Sequence, residues 1–199
     1  MKDIGKVNKI LYFYSKLFDN LDNTVMTGIF IRKEAIVDFE AIKEVNDLAF
    51  GQNQESDLVN KLRKKAEFSD ELSLVAIYSD KIVGHILFFQ VSIIFEKGIH
   101  STLSLGPMSV LPEHQNKGIG GELIRAGLKR AKELGFKSVI VLGHPEYYPR
   151  FGFRKASEWN IKDPFGAPEA AMMATELEKE SLDFGGGIIE YPEEFYETV

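Results

Sequence analysis

The chain has 199 residues, 44% apolar and 27% charged, with a formal charge of −6: enough for one cored domain, and too acidic for binding nucleic acid by phosphate neutralisation. It has no cysteine, which removes disulfides, thiolate metal sites and acyl-cysteine chemistry together, and its four histidines (His85, His100, His114, His144) are too scattered to suggest a metal site. No apolar run approaches the ~18 residues of a membrane span and no export signal is recognisable, so a cytoplasmic protein is expected.

Residues 1–25 stand apart. Ile10, Phe13, Leu17 and Leu21 recur at helical spacing, which predicts a helical appendage to a single domain over 26–199. From Gly28, GIFIRKE reads as a strand. Asp38 is placed to cap a helix whose inner face carries Phe39, Ile42, Val45 and Ala49. A second helix is expected from Ser56, with Leu58, Val59 and Leu62 inward and Arg63, Lys64 and Lys65 toward water. ELSLVAIY and KIVGHILFFQVSII flank Ser79-Asp80 as a hairpin, and FEKG turns the chain into IHSTLSLGPMSVL, completing an antiparallel meander.

A helix then carries Leu123, Ile124, Leu128, Ala131 and Leu134 as its apolar stripe, with Gly135 as the stop. KSVIVLG is short and nearly all apolar, the pattern of a strand buried on both faces. Two more strands are expected at 170–177 and 187–191.

The stretch QNKGIGGEL, Gln115 to Leu123, places three glycines at the start of that helix. Glycine costs a helix about 1 kcal/mol against alanine. Its use there suits an anion, because N–H groups at a helix start point outward and a missing Cβ lets oxygens approach. A Walker A loop needs Lys and Ser/Thr after its last glycine, where this chain has Gly121 and Glu122. A dinucleotide fingerprint needs a third glycine where this chain has Leu123, and a βαβ unit where it has a meander. The pattern Gln/Arg-x-x-Gly-x-Gly/Ala is matched in full by Gln115, Gly118 and Gly120.

That motif, between SVLPEH and an amphipathic helix, resembles the pyrophosphate loop of the GCN5-related N-acetyltransferases. GHPEYYPRFGF resembles the end of the same fold, and with GGGIIEYPEEF it is most similar to the YhbS-like branch. The resemblance covers about residues 29–195. It implies an α/β (α+β) fold: a mixed, mostly antiparallel sheet with helices on both faces and one splayed pair of parallel strands. It also implies acetyl-CoA as cosubstrate, with no metal, and direct acetyl transfer to a primary amine.

By the same resemblance, Met108, Ser109 and Val110 form the edge that pairs the pantetheine arm, with the Val110 N–H on the thioester carbonyl. Gln115, Asn116, Lys117, Gly118, Ile119, Gly120 and Gly121 hold the pyrophosphate. Tyr148, four residues before Gly152, is the expected general acid, and Tyr147 is the neighbour that a one-residue slip would exchange for it. The family's Asn-x-x-Ala is replaced by Gly143-His144-Pro145-Glu146, which makes His144 and Glu146 candidate bases. Glu55 is a candidate for steering a cationic substrate. A non-catalytic acyl-CoA-binding module is the alternative. Neither the acceptor nor an oligomeric state is legible, and no nucleic-acid or membrane partner is expected.

Overall fold

The computed structural model describes residues 28–197; the appendage expected over 1–25 lies outside the described residues. Strand β1 (Phe30–Lys33) leads to helices α1 (Phe39–Phe50) and α2 (Gln54–Leu62). Strands β2 (Ser73–Tyr78), β3 (Lys81–Phe95) and β4 (Gly98–Val110) form the meander. Helix α3 (Ile119–Glu133) and strand β5 (Ser138–Leu142) follow. The last third supplies β6 (Arg154–Lys155), β7 (Ile161–Lys162), β8 (Met172–Glu176), β9 (Gly187–Glu190) and a short α4 (Glu193–Tyr196). No helix among the described residues is long and apolar enough to cross a membrane.

The strands make one sheet in the order β1-β2-β3-β4-β5-β8-β6, with β9 beside β3 and β7 beside β9. The β2–β3 turn is the expected one: Ser79 and Asp80 have φ of +48° and +61°, the left-handed pair that a two-residue hairpin requires. Strand β3 is long enough to serve two neighbours on one edge, β2 along its first half and β9 at Ser92–Ile94.

Alternation along β3 divides the core. Ile86 and Phe88 pack with Leu123 and Ile124 of α3 on one face. Leu87, Phe89, Val91 and Ile93 pack with Leu58, Val59 and Leu62 of α2 on the other. Burying both faces is what the near-continuous apolar run in this strand demands. Gly127 of α3 lies over Phe88, where a Cβ would stand 2.0 Å from the ring.

Four expectations are corrected. Leu134 is 40% exposed, because α3 ends at Glu133 and the chain turns away at Gly135 (φ +87°). Asp38 does not cap α1: its carboxylate accepts from Arg32 and from the Ala35 N–H at 2.7 Å, closing the turn before the helix. Helix α2 begins at Gln54, since the Ser56 hydroxyl is taken by Asp47 and by the Asn53 carbonyl. Arg63 turns inward, to a bidentate pair with Glu34 at 2.8 and 2.9 Å, the two side chains 8% and 2% exposed.

Candidate active site

The parallel contact between β4 and β5 is brief; the other parallel pair among the described residues is the short β7 with β9. β4 and β5 pair only at Leu103–Val139, Ser104–Ile140 and Leu105–Val141. Immediately afterward β4 bulges: Phe88 faces Leu105 but Ile86 faces Met108, so Gly106 and Pro107 together oppose Leu87. A bulge bends its strand, and proline has no N–H for the ladder. The pair therefore opens beyond Leu105, and Met108–Val110 continue alongside β3 alone. The sequence pattern predicts a plain strand through this point, although a Gly-Pro pair inside an apolar run is the signal of a bulge.

The open edge has defined polarity. Leu111 donates its N–H to the Val83 carbonyl at 2.9 Å, so by antiparallel alternation Ser109 also turns its backbone to β3. Met108 and Val110 then turn theirs toward the gap. The Val110 carbonyl accepts from Gln115 Nε2 at 3.0 Å, so Gln115 ties the glycine loop to the strand. Its role in the structure is to shape the loop.

Asn116 and Gly118 take left-handed conformations (φ +60° and +82°) that fold the loop under α3. Gly118 is the cap residue and has no side chain to satisfy the helix start. The first helical bond runs from the Glu122 N–H to the Gly118 carbonyl at 3.1 Å. The N–H groups of Ile119, Gly120 and Gly121 therefore face out of the positive end of the helix dipole. Lys117 folds back to donate to the Glu113 carbonyl at 2.7 Å.

The opposite wall follows β5. Gly143 is buried under Tyr148, which is only 1% exposed and meets Phe153 edge-on at 5.6 Å. Tyr147 points elsewhere: a Cβ on Gly120 would lie 3.0 Å from its hydroxyl and 3.5 Å from Met108 Cε. Burial pushes the Tyr147 phenol up to about 12, against the pull of Arg150 and Arg125. His144 is half-buried and its Nδ1 accepts from the Glu146 N–H at 3.4 Å, while the Glu146 side chain is exposed.

Glu55 lies in the first turn of α2, where Gln52 Nε2 donates to both carboxylate oxygens at 2.9 and 3.1 Å. Burial holds its carboxyl above the usual range, against the bond from Gln52. The structure thus brings Met108, Gly120 and Tyr147 together, with Glu55 in the first turn of α2.

A polar string that sequence reading missed runs behind the sheet. Arg63 and Ser73 both donate to Glu34, the latter at 2.7 Å; Ser73 Oγ lies 3.0 Å from His85 Nε2, and Asn46 Nδ2 lies 3.3 Å from His85 Nδ1. Glu34 as a carboxylate only accepts, so the Ser73 proton is directed to it. His85 then carries its proton on Nε2 and accepts at Nδ1. Burial lowers the His85 pKa to about 3, with Arg63 adding repulsion. Its cross-strand partner is Ser109 of β4, so the string passes one strand away from the open edge. Among the described residues no three His, Asp or Glu side chains gather as metal ligands.

An open parallel pair beside an uncapped, glycine-started helix offers an extended ligand an edge to pair with and an anionic group a helix start to sit on. Residues 39–153 match the model of the acetyltransferase (GNAT) family, and the chain belongs to that family. It is 39% identical over 157 residues to YjhQ of Escherichia coli K12, an uncharacterised N-acetyltransferase, covering 76% of this chain and 86% of YjhQ. The crystal structure of the E. coli GNAT protein YhbS in complex with CoA matches with a TM-score of 0.79 at 26% identity, covering 89% of this chain and 96% of that one. A GNAT acetyltransferase from Brucella melitensis, in complex with acetyl-CoA, matches with a TM-score of 0.69 at 31% identity, covering 85% and 99%.

Proposed function

We propose that this chain binds acetyl-CoA in the gap between β4 and β5 and transfers the acetyl group directly to a primary amine. The observation that carries the reading is the pair of turned-out residues Met108 and Val110, left without a strand partner on the gap side next to the Gly118 helix start. An extended pantetheine amide chain pairs with such an edge as an added strand. The N–H groups of Ile119, Gly120 and Gly121 receive the pyrophosphate. Relatives solved with CoA and with acetyl-CoA support the cofactor.

The Val110 N–H, aimed into the gap, stabilises the negative charge that develops on the thioester oxygen. A lysine-like amine of pKa ~10.4 is only about 0.04% neutral at pH 7, so its proton must be taken before attack. His144 and Glu146, on the loop that follows β5, are the proposed acceptors, directly or through water. As the C–N bond forms and the C–S bond breaks, Tyr148 gives its phenolic proton to the departing sulfur. Glu55 adds negative charge that favours a cationic acceptor.

The test is thiol release from acetyl-CoA over a panel of polyamines, amino acids, aminoglycosides and peptides. With no cysteine in the chain, the protein contributes no thiol background. Release matched by an amine heavier by one acetyl group supports the reading. Binding of CoA, seen as about 2.7 kcal/mol of stabilisation at 100 times Kd, with no amine acetylated, would favour a non-catalytic CoA-binding module.

A further inference from the structure

Two tyrosines adjoin in sequence and part in space. Their rings stand perpendicular, centroids 5.3 Å apart. Tyr148 goes down into the core against Gly143. Tyr147 stays half-buried at the rim, its ring fixed edge-on to Phe151 at 5.4 Å and covered by the Arg150 guanidinium at 4.7 Å. An aromatic ring held this way has little freedom to lose on meeting a ligand. Its polar tip is directed at the first turn of α3: Gly120 and Met108 together form the ground it faces. Those residues come from the two elements between which the cofactor arm must bend, the helix start and the open edge of β4.

We infer that Tyr147 is a clamp on the CoA arm, donating its hydroxyl to a pyrophosphate oxygen held over the start of α3. The inference rests on the acetyl-CoA reading above. It assigns a ligand contact to a residue that the sequence pattern passes over in favour of Tyr148. A phenol raised to about 12 keeps its proton at any working pH and so remains a donor. Arg150 over the ring puts positive charge at the same mouth, which suits a phosphate and stiffens the clamp; Arg125, close by, is paired with Glu122 at 2.7 Å. A neutral donor to an ionised oxygen is among the stronger hydrogen bonds.

The test measures CoA and ADP affinity by calorimetry for the full chain and for Tyr147→Phe. The variant keeps the ring and its contacts with Phe151 and Arg150, and its unliganded melting temperature, measured beside the affinities, tells a change in fold stability from a change in binding. CoA and ADP should both bind about ten- to a hundredfold more weakly, the loss of one hydrogen bond to a charged group. Equal CoA affinity in parent and variant overturns the clamp and leaves the cofactor reading intact. A loss for CoA with none for ADP also overturns it, moving the contact to the pantetheine amides. A parent that binds neither ligand overturns the cofactor reading itself.

Discussion

The Tyr148 ring rests on the bare α-carbon of Gly143: a Cβ there would stand 2.3 Å from Cε2 and 3.0 Å from Cδ2. Gly143 closes the strand that forms one arm of the open pair, so the glycine sets how deep the tyrosine sits. Gly143→Ala should therefore act through Tyr148. The added methyl must displace the ring or the strand end, at a cost of about 1–3 kcal/mol typical of overpacking. Chemical denaturation should report that loss, and turnover should fall with it. An alanine variant of parental stability would mean that the ring swings aside freely, and that its place in the core is not fixed by this contact.

Substitution of the hydroxyl alone separates packing from chemistry. Tyr148→Phe keeps the edge contacts with Phe153 and Tyr147. If Tyr148 protonates the departing sulfur, kcat should drop about a hundredfold or more, the usual worth of a general acid. KM for acetyl-CoA should stay within about a factor of two, because the loss is confined to the transition state. Steady-state kinetics on Tyr148→Phe beside Tyr147→Phe gives opposite signatures, one in kcat and one in cofactor affinity. Unchanged kcat in Tyr148→Phe would leave Tyr148 a core residue.

Gly127 shows the same logic on the helix. Alanine raises helix propensity by about 1 kcal/mol over glycine, so Gly127→Ala would stabilise an exposed helix. Here the new Cβ would lie 2.0 Å from Phe88 Cε2, well inside contact distance and against a ring enclosed by the sheet. The clash outweighs the propensity gain, and a net loss of about 2 kcal/mol or more is expected. Phe88→Leu removes the obstructing atoms, so the double variant should lose less than the sum of the singles. Urea midpoints for the four proteins in the cycle decide it.

Local patterns carried much of the fold. The Ser79-Asp80 hairpin, the glycine loop and the buried strand Ser138–Leu142 each follow from a few adjacent residues, and each lies where the pattern places it. What escaped depends on contacts distant in sequence. Arg63 reads as one of three solvated cations until Glu34, on the far side of α1 and α2, meets it. Glu34, Ser73 and His85 come from three separate strand regions and only the sheet joins them. The Gly106-Pro107 bulge was legible in principle, yet its effect, opening β4 from β5, depends on where β5 docks. Tyr147 and Tyr148 differ by one residue, so which ring enters the core and which hydroxyl meets Gly120 is a matter of backbone direction in the turn after Gly143, which spacing does not encode.

The buried pair of Arg63 and Glu34 should respond sharply to removal of one member. Arg63→Ala leaves a carboxylate that is almost fully enclosed, with only Ser73 to bond it. Losing one partner of a buried pair costs about 3–5 kcal/mol. Denaturant unfolding should show that loss for Arg63→Ala, and a much smaller one for the paired change Arg63→Met with Glu34→Leu, which leaves no charge behind.

His85 gives the chain an acid-side weakness. Its pKa falls from 6.5 to about 3 on folding, so the unfolded chain binds the extra proton between those values. A depressed folded pKa contributes stability that is full above pH 6.5 and drains away as pH falls toward 3. From pH 7 to pH 5 the loss at this one site is about 2 kcal/mol. The parent should therefore lose about that much more over the interval than His85→Gln, which has no proton to gain. Parallel urea titrations at pH 5 and 7 measure the difference. Equal losses in the two proteins would mean that His85 keeps access to a proton, and that the string from Glu34 to Asn46 does not hold it neutral.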